Sequence, residues 1–206
     1  MLVIWGRSNS INVQKVLWCC EEMGLAYQRM DAGGAFGVVS TQRYRELNPN
    51  GLVPAIDDDG FVLWESNAVV RYLAARHSAG NLWPSHIHMR AEADCWMEWC
   101  NTTLWPALRP LFIALIRTPP QSRDRSAIED ARLRTAAALR TIDMHLANHE
   151  HVAGEAFSMG DIPLACCAWR WLTLPIERPA LGNLERWFDA MTKRPAYRRI
   201  VMHPLS

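Results

Sequence analysis

Neither sign of charge is in excess in this sequence: 22 Lys and Arg residues nearly cancel 21 Asp and Glu, leaving a formal +1. Non-specific binding to nucleic acid runs on a basic surface, so that class is not expected. No stretch approaches the ~18 consecutive apolar residues of a membrane span. The longest aliphatic-aromatic run near the middle is only Leu111 to Ile116. A positive region followed by an apolar stretch is also missing from the N-terminus, so no signal peptide is expected. The six cysteines (Cys19, Cys20, Cys95, Cys100, Cys166 and Cys167) include no C-x-x-C pair and no zinc-type spacing, so no metal site is expected. Set in apolar, helix-like surroundings, they read as buried reduced thiols of a cytosolic protein. Internal repeats and low-complexity tracts are absent too.

What is present is a chain of 206 residues, half of them apolar. That is enough for two small domains or one larger one. Of ten tryptophans, seven cluster between Trp83 and Trp105 and between Trp169 and Trp187. Such side chains fill cores or line apolar pockets.

Along the first 77 residues the pattern alternates. Residues 2–5 form an apolar run closed by Gly6 and predict a buried strand. A polar loop, Arg7 to Asn12, precedes apolar positions 13, 16, 17, 20 and 23, which have helical spacing, and Gly24 supplies a C-terminal cap. A second strand is expected over 25–31, a glycine-rich loop over 32–40 and a short helix over 41–47. Two apolar runs, Val53 to Ile56 and Phe61 to Trp64, flank an Asp-Gly turn and predict a hairpin. A helix from Asn67 to Arg76 follows. The order β-α-β-α-β-β-α implies a parallel crossover, then an antiparallel hairpin, giving a mixed four-stranded sheet with helices on both faces.

Residues 78–88 have loop composition and are expected to link two domains, 1–77 and 89–206. No strand is expected beyond them. Helices are expected at Met89 to Leu104, Ile128 to His149, Asp161 to Trp171 and Leu184 to Met191, punctuated by prolines. Ser158-Met159-Gly160-Asp161 has capping-box spacing, with Asp in place of Glu. The fold class is therefore α/β plus all-α.

Three short segments carry chemistry. A proline after Val53, at the hairpin entrance, suits a tight cis turn that leaves the Val53 N–H and C=O free to pair an extended peptide. An ordinary strand-entry proline would read the same way. Glu65-Ser66 opens a helix: the free N–H groups and positive dipole end suit a carboxylate, and Glu65 suits an ammonium. Ser10-Ile11-Asn12 opens the first helix, where a hydroxyl or amide can donate to a thiolate in a favourable field. Both helix starts would also serve as plain caps. Their joint order is more specific than any one of them. It places three sites on one sheet edge, matching the thiol, backbone and head group of a tripeptide like glutathione.

At these residues the sequence resembles the cytosolic glutathione transferase superfamily. Asn48 to Ile56 is similar to its N-P-x-G-x-V-P segment, and Trp64 to Leu73 to its E-S-x-A-I-x-R-Y-L segment. The helical half resembles it as well, through the Ser158 to Asp161 cap and the Trp187 to Pro195 region. The resemblance implies a thioredoxin-like N-terminal domain that binds glutathione as co-substrate, and a helical-bundle domain that shapes an electrophile site. It implies that Val53 pairs with the cysteinyl part, Glu65 and Ser66 bind the γ-glutamyl end, and Asn50 lies near the glycyl end. Ser10 falls where serine-type members stabilise the thiolate. Asn12 falls where some bacterial and fungal members use an asparagine. The first loop holds no tyrosine and no cysteine, which excludes the tyrosine-type mechanism and disfavours a cysteine-type one.

The expected reaction is attack of the glutathione thiolate on a small apolar electrophile, a detoxification chemistry, in a cytoplasmic homodimer. Trp96, Trp99, Thr103 and Trp105 are candidates to line the electrophile pocket. Two other readings stay open: reduction of glutathione disulfides or peroxides at the same site, and a non-catalytic interaction protein on this fold.

Overall fold

The computed structural model describes residues 1–206. The N-terminal half runs β1 (Leu2–Trp5), α1 (Ile11–Glu22), β2 (Tyr27–Met30), α2 (Gln42–Leu47), β3 (Ala55–Asp58), β4 (Phe61–Trp64) and α3 (Ser66–His77). This is the order that the apolar periodicity predicts. The sheet order is β2-β1-β3-β4. β1 and β2 are parallel, while β1–β3 and β3–β4 are antiparallel. Helices cover both faces. On one, Val13, Val16 and Leu17 of α1 and Val69, Val70 and Leu73 of α3 share a core with Leu2, Ile4 and Ile56. On the other, Tyr44 of α2 packs with Ala32 and Ala55.

The C-terminal half is helical: α4 (Ile87–Trp99), α5 (Trp105–Phe112), α6 (Arg125–Leu146), α7 (Asp161–Thr173), α8 (Gly182–Thr192) and α9 (Pro195–Ile200). From Ile87 to Arg117 the chain stays helical, because π-helical segments at Cys100–Leu104 and Ile113–Arg117 flank α5. The prolines at 106 and 110 suggest a break here. Instead, Pro106 and Pro110 are both carried within this helical run, each giving up one backbone N–H bond. The widened π turns absorb the change of register. Likewise Pro195 starts α9 rather than preventing it. α6 begins three residues earlier than its apolar periodicity, because Asp124 caps it, accepting from the Ser126 and Ala127 N–H groups at 2.9 and 3.1 Å. No helix is long and apolar enough to cross a membrane.

The two halves share one core. α1 packs against α7 and α9 as well as α3, so even Gln14 and Lys15 are buried. Trp18 of α1 meets the Tyr197 ring edge-on at 4.7 Å. Arg194 grips Glu22 through two hydrogen bonds of 2.9 and 2.7 Å. Asn67 of α3 accepts from Lys15 at 3.4 Å and donates to the Met97 carbonyl of α4 at 2.9 Å. This packing fixes the first helix, and hence the loop before it, relative to the helical half.

Candidate active site

A cavity of about 350 Å³ opens between the loops that follow β1 and β2 and precede β3, on one side, and the α5 region on the other. Ser10, Asn12 and Val53 all line it. Ser10 occupies the N-cap position of α1 with extended backbone (φ −79°, ψ 126°), yet its hydroxyl makes no capping bond. The hydroxyl is therefore available to a ligand, at the positive end of a 12-residue helix. Asn12 lies one turn-start further on and is half-buried.

Val53 is presented by a pinned loop. Tyr44 Oη and Asn48 Nδ2 both donate to the Leu52 carbonyl, each at 2.8 Å. The Val53–Pro54 peptide is cis. Neither the N–H nor the C=O of Val53 finds a partner within the chain. Asn50 is exposed, donates its N–H to Asn48 Oδ1 at 3.0 Å, and does not line the cavity.

Glu65 and Ser66 stand apart from the cavity lining. The structure also starts the helix one residue before the expected Asn67: Glu65 holds the cap position and Ser66 is the first residue of α3. The reason is local backbone geometry. Glu65 takes φ 68°, ψ 109°, and its carbonyl accepts the Val69 N–H at 2.9 Å. A positive φ on a non-glycine residue costs on the order of 1–3 kcal/mol and is concentrated at functional sites. Glu65 is exposed and its side chain makes no capping bond, so the first-turn N–H groups beside the buried Ser66 are left to another acceptor.

Of the tryptophans and threonine considered for the pocket, only Trp105 lines it. Trp99 and Thr103 border a separate open groove of about 530 Å³ beside α6. Trp96 packs on Trp99 and on His145, with ring centroids 5.4 and 4.7 Å away.

The larger omission in the sequence reading is cationic. Arg7, Arg109, Arg117 and Arg170 all line the cavity, and no Asp or Glu does. Arg7 is overlaid by the Gly33-Gly34 loop. A Cβ on Gly33 would stand 3.1 Å from Arg7 Nη1, and one on Gly34 3.2 Å from Arg7 Cδ. With φ values of 78° and 60° both positions also favour glycine. Arg117 and Arg170 stack on the Phe112 ring at 5.0 and 5.6 Å. Burial, then the neighbouring charges of Arg7 and Arg109, draw the Arg117 guanidinium below its ordinary pKa. Burial does the same to Arg170, with Arg117 adding to it. No group of three or more His, Cys, Asp or Glu side chains is placed to hold a metal ion. The arrangement can therefore hold an anion, and it can lower the pKa of a thiol placed at Ser10.

Residues 9–76 match the family model for the glutathione S-transferase N-terminal domain, and residues 104–195 the model for the C-terminal domain. Glutathione S-transferase GstB of Escherichia coli strain K12 is 41% identical over 208 residues, covering 100% of both chains. Glutathione S-transferase F14 of Arabidopsis thaliana is 29% identical, over 97% of this chain and 80% of its own length. Among solved structures, the theta class glutathione S-transferase of Xanthomonas axonopodis pv. citri with glutathione bound superposes with a TM-score of 0.96 at 46% identity, covering 100% of this chain and 99% of that one. Glutathione transferase F7 of Populus trichocarpa shares the fold, with a TM-score of 0.87 at 22% identity over 98% of each chain.

Proposed function

Because the chain belongs to the glutathione S-transferase family, we propose that it is an enzyme that joins the thiolate of glutathione to a small electrophile. One observation carries the reading: an uncommitted Ser10 hydroxyl at the start of α1 shares a cavity with the unpaired backbone of Val53. An extended tripeptide laid along that edge pairs its cysteinyl N–H and C=O with Val53. Its γ-glutamyl carboxylate then meets the first-turn N–H groups and hydroxyl of Ser66, and its ammonium meets Glu65. Its glycyl end lies towards Asn50. In this division of labour residues 1–77 hold glutathione, residues 78–88 link, and residues 89–206 shape the electrophile site.

The bound sulfur sits at the α1 N-terminus. Ser10 donates to it, with the Asn12 amide as a second donor. Donation and the helix field favour the thiolate over the thiol, lowering a pKa of about 8.5 towards neutrality. A shift of ~2 units corresponds to ~2.7 kcal/mol. The thiol proton leaves to solvent, and the sulfur lone pair attacks an electrophile seated on the apolar wall of Trp105, Phe112 and Ile113. Holding both reactants in one cavity removes much of the entropic barrier to their meeting.

Titration calorimetry with glutathione, and a conjugation assay against aryl halides, hydroperoxides and mixed disulfides, test the reading. Binding with turnover of an aryl halide is expected; no heat of binding and no turnover would reject it. Glu65→Ala is expected to weaken glutathione binding about tenfold, ~1.4 kcal/mol. An unchanged dissociation constant would remove Glu65 from the site. We propose further that the protein works in the cytoplasm as a detoxifying homodimer. Light scattering should then return the mass of two 23.5 kDa chains, and a monomer mass would refute the dimer.

A further inference from the structure

The cavity beside Ser10 is lined by four arginines and by no acidic side chain. Some arginines of the chain sit on carboxylates, as Arg71 does on Asp94 and Glu98 and Arg194 on Glu22. No acidic side chain pairs with Arg7, Arg109, Arg117 or Arg170; Arg117 donates through Nη2 to the terminal Ser206 oxygen at 3.1 Å, which leaves its other N–H groups free. Arg170 is the sharpest case. It is 3% exposed, donates through Nη1 to the Cys166 carbonyl and through Nη2 to Gln14 Oε1, both at 2.9 Å, and its Nε is left with no partner at all. Only Arg170 is buried, but like charges gathered around one cavity repel, and an anion seated among them relieves that repulsion.

The transferase reading already accounts for one carboxylate of glutathione at Glu65 and Ser66, outside this cavity, and sends the other towards Asn50, which does not line it either. Arg109, Arg117 and Arg170 belong to α5, the π-helical segment after it and α7, on the side assigned to the second reactant. Between them lie Trp105, Phe112 and Ile113, flat and apolar. Charge and apolar surface thus alternate within one small space.

We propose that the second substrate is a small electrophile carrying a carboxylate, its apolar body against Trp105 and Phe112 and its carboxylate held by Arg109 and Arg117. The proposal rests on the transferase reading and narrows it. The chemistry balances without any further reactant. The thiolate sulfur donates an electron pair to the halogen-bearing carbon, the carbon–halogen bond breaks, halide leaves with its pair, and the carboxylate is unchanged. Thiolate and carboxylate repel each other. The arginines offset that repulsion as the two approach, which a neutral pocket would not do.

The test compares 4-chloro-3-nitrobenzoate with its neutral amide, 4-chloro-3-nitrobenzamide, as partners for glutathione. Wild type is expected to favour the benzoate in kcat/KM by about tenfold or more, since guanidinium–carboxylate hydrogen bonds are strong. Arg109→Gln and Arg117→Gln, both at exposed positions, should each reduce that preference at least several-fold, and Arg117→Lys should restore part of it. Calorimetry of the inert 3-nitrobenzoate and 3-nitrobenzamide on the glutathione-loaded protein should show the same order. No preference in wild type by either measure, or an unchanged preference in both variants, would overturn the proposal. So would a rise in the glutathione dissociation constant that accounts for the whole loss, because the arginines would then hold the tripeptide. That last result leaves the transferase reading standing. Failure of wild type to bind glutathione removes both.

Discussion

Replacing Asp161 by alanine is expected to lower the unfolding free energy by about 3–5 kcal/mol, among the largest effects a single side chain can have. The carboxylate is fully buried. It accepts from the Ser158 N–H at 2.9 Å, the Trp187 Nε1–H at 2.9 Å and the Val152 N–H at 3.2 Å, with His151 Nδ1 at 3.4 Å. Ser158 answers through its hydroxyl, which accepts the Gly160 N–H at 3.3 Å. Alanine would strand at least three buried donors, each costing ~1–3 kcal/mol when left unmade. For a chain of this size each 1 kcal/mol moves the melting temperature by ~2–4 °C. A fall of roughly 10 °C is therefore expected in a thermal melt, with a matching loss in urea. Asp161→Asn preserves the volume but sets an NH₂ among donors, so it should recover only part of the loss. A change below ~1 kcal/mol for alanine would show that the hub is not structural. The consequence reaches the cavity, because Asp161 opens α7 and α7 carries Arg170.

The capping-box spacing made Asp161 legible as a helix start, but not as a junction for Trp187 and Val152, which approach from distant segments. The same contrast runs through the chain. β1, α1, β3 and β4 were legible because apolar runs end at Gly6, Gly24 and the Asp59-Gly60 turn, where backbone chemistry leaves few choices. The burial of Gln14 and Lys15 was not, since a polar residue on an otherwise outward face is buried only when a second domain lands on it. α5 was hidden by Pro106 and Pro110. Hidden with it was the stripe of Trp105, Arg109, Phe112, Ile113 and Arg117, whose spacing of four, three, one and four puts them on one helical face. A reader who had carried the helix through both prolines would have met the arginines. Arg7 and Arg170 offer no such signal, because only the fold brings residues so far apart in the sequence to one cavity.

Ser10→Ala is expected to cut kcat/KM for conjugation about tenfold or more, ~1.4 kcal/mol or more, while the fold stays as stable as before. The two halves of that expectation come from one observation. A serine that capped α1 through its side chain would, on replacement, cost the helix ~0.5–2 kcal/mol. The Ser10 hydroxyl makes no capping bond, so that term is missing and the hydroxyl's contribution falls to the ligand. Its removal raises the pKa of the bound thiol, because donation favours the charged form. The inflection in the pH–rate profile should accordingly move to higher pH, and the ultraviolet absorbance of bound thiolate should appear later in the titration. A variant that melts earlier but reacts at the wild-type rate would return Ser10 to plain capping. Asn12→Ala separates the remaining alternatives. If it alone moves the inflection, the amide is the donor; if both substitutions move it by unequal amounts, the larger shift identifies the principal one, since two donors to one sulfur share the same charge.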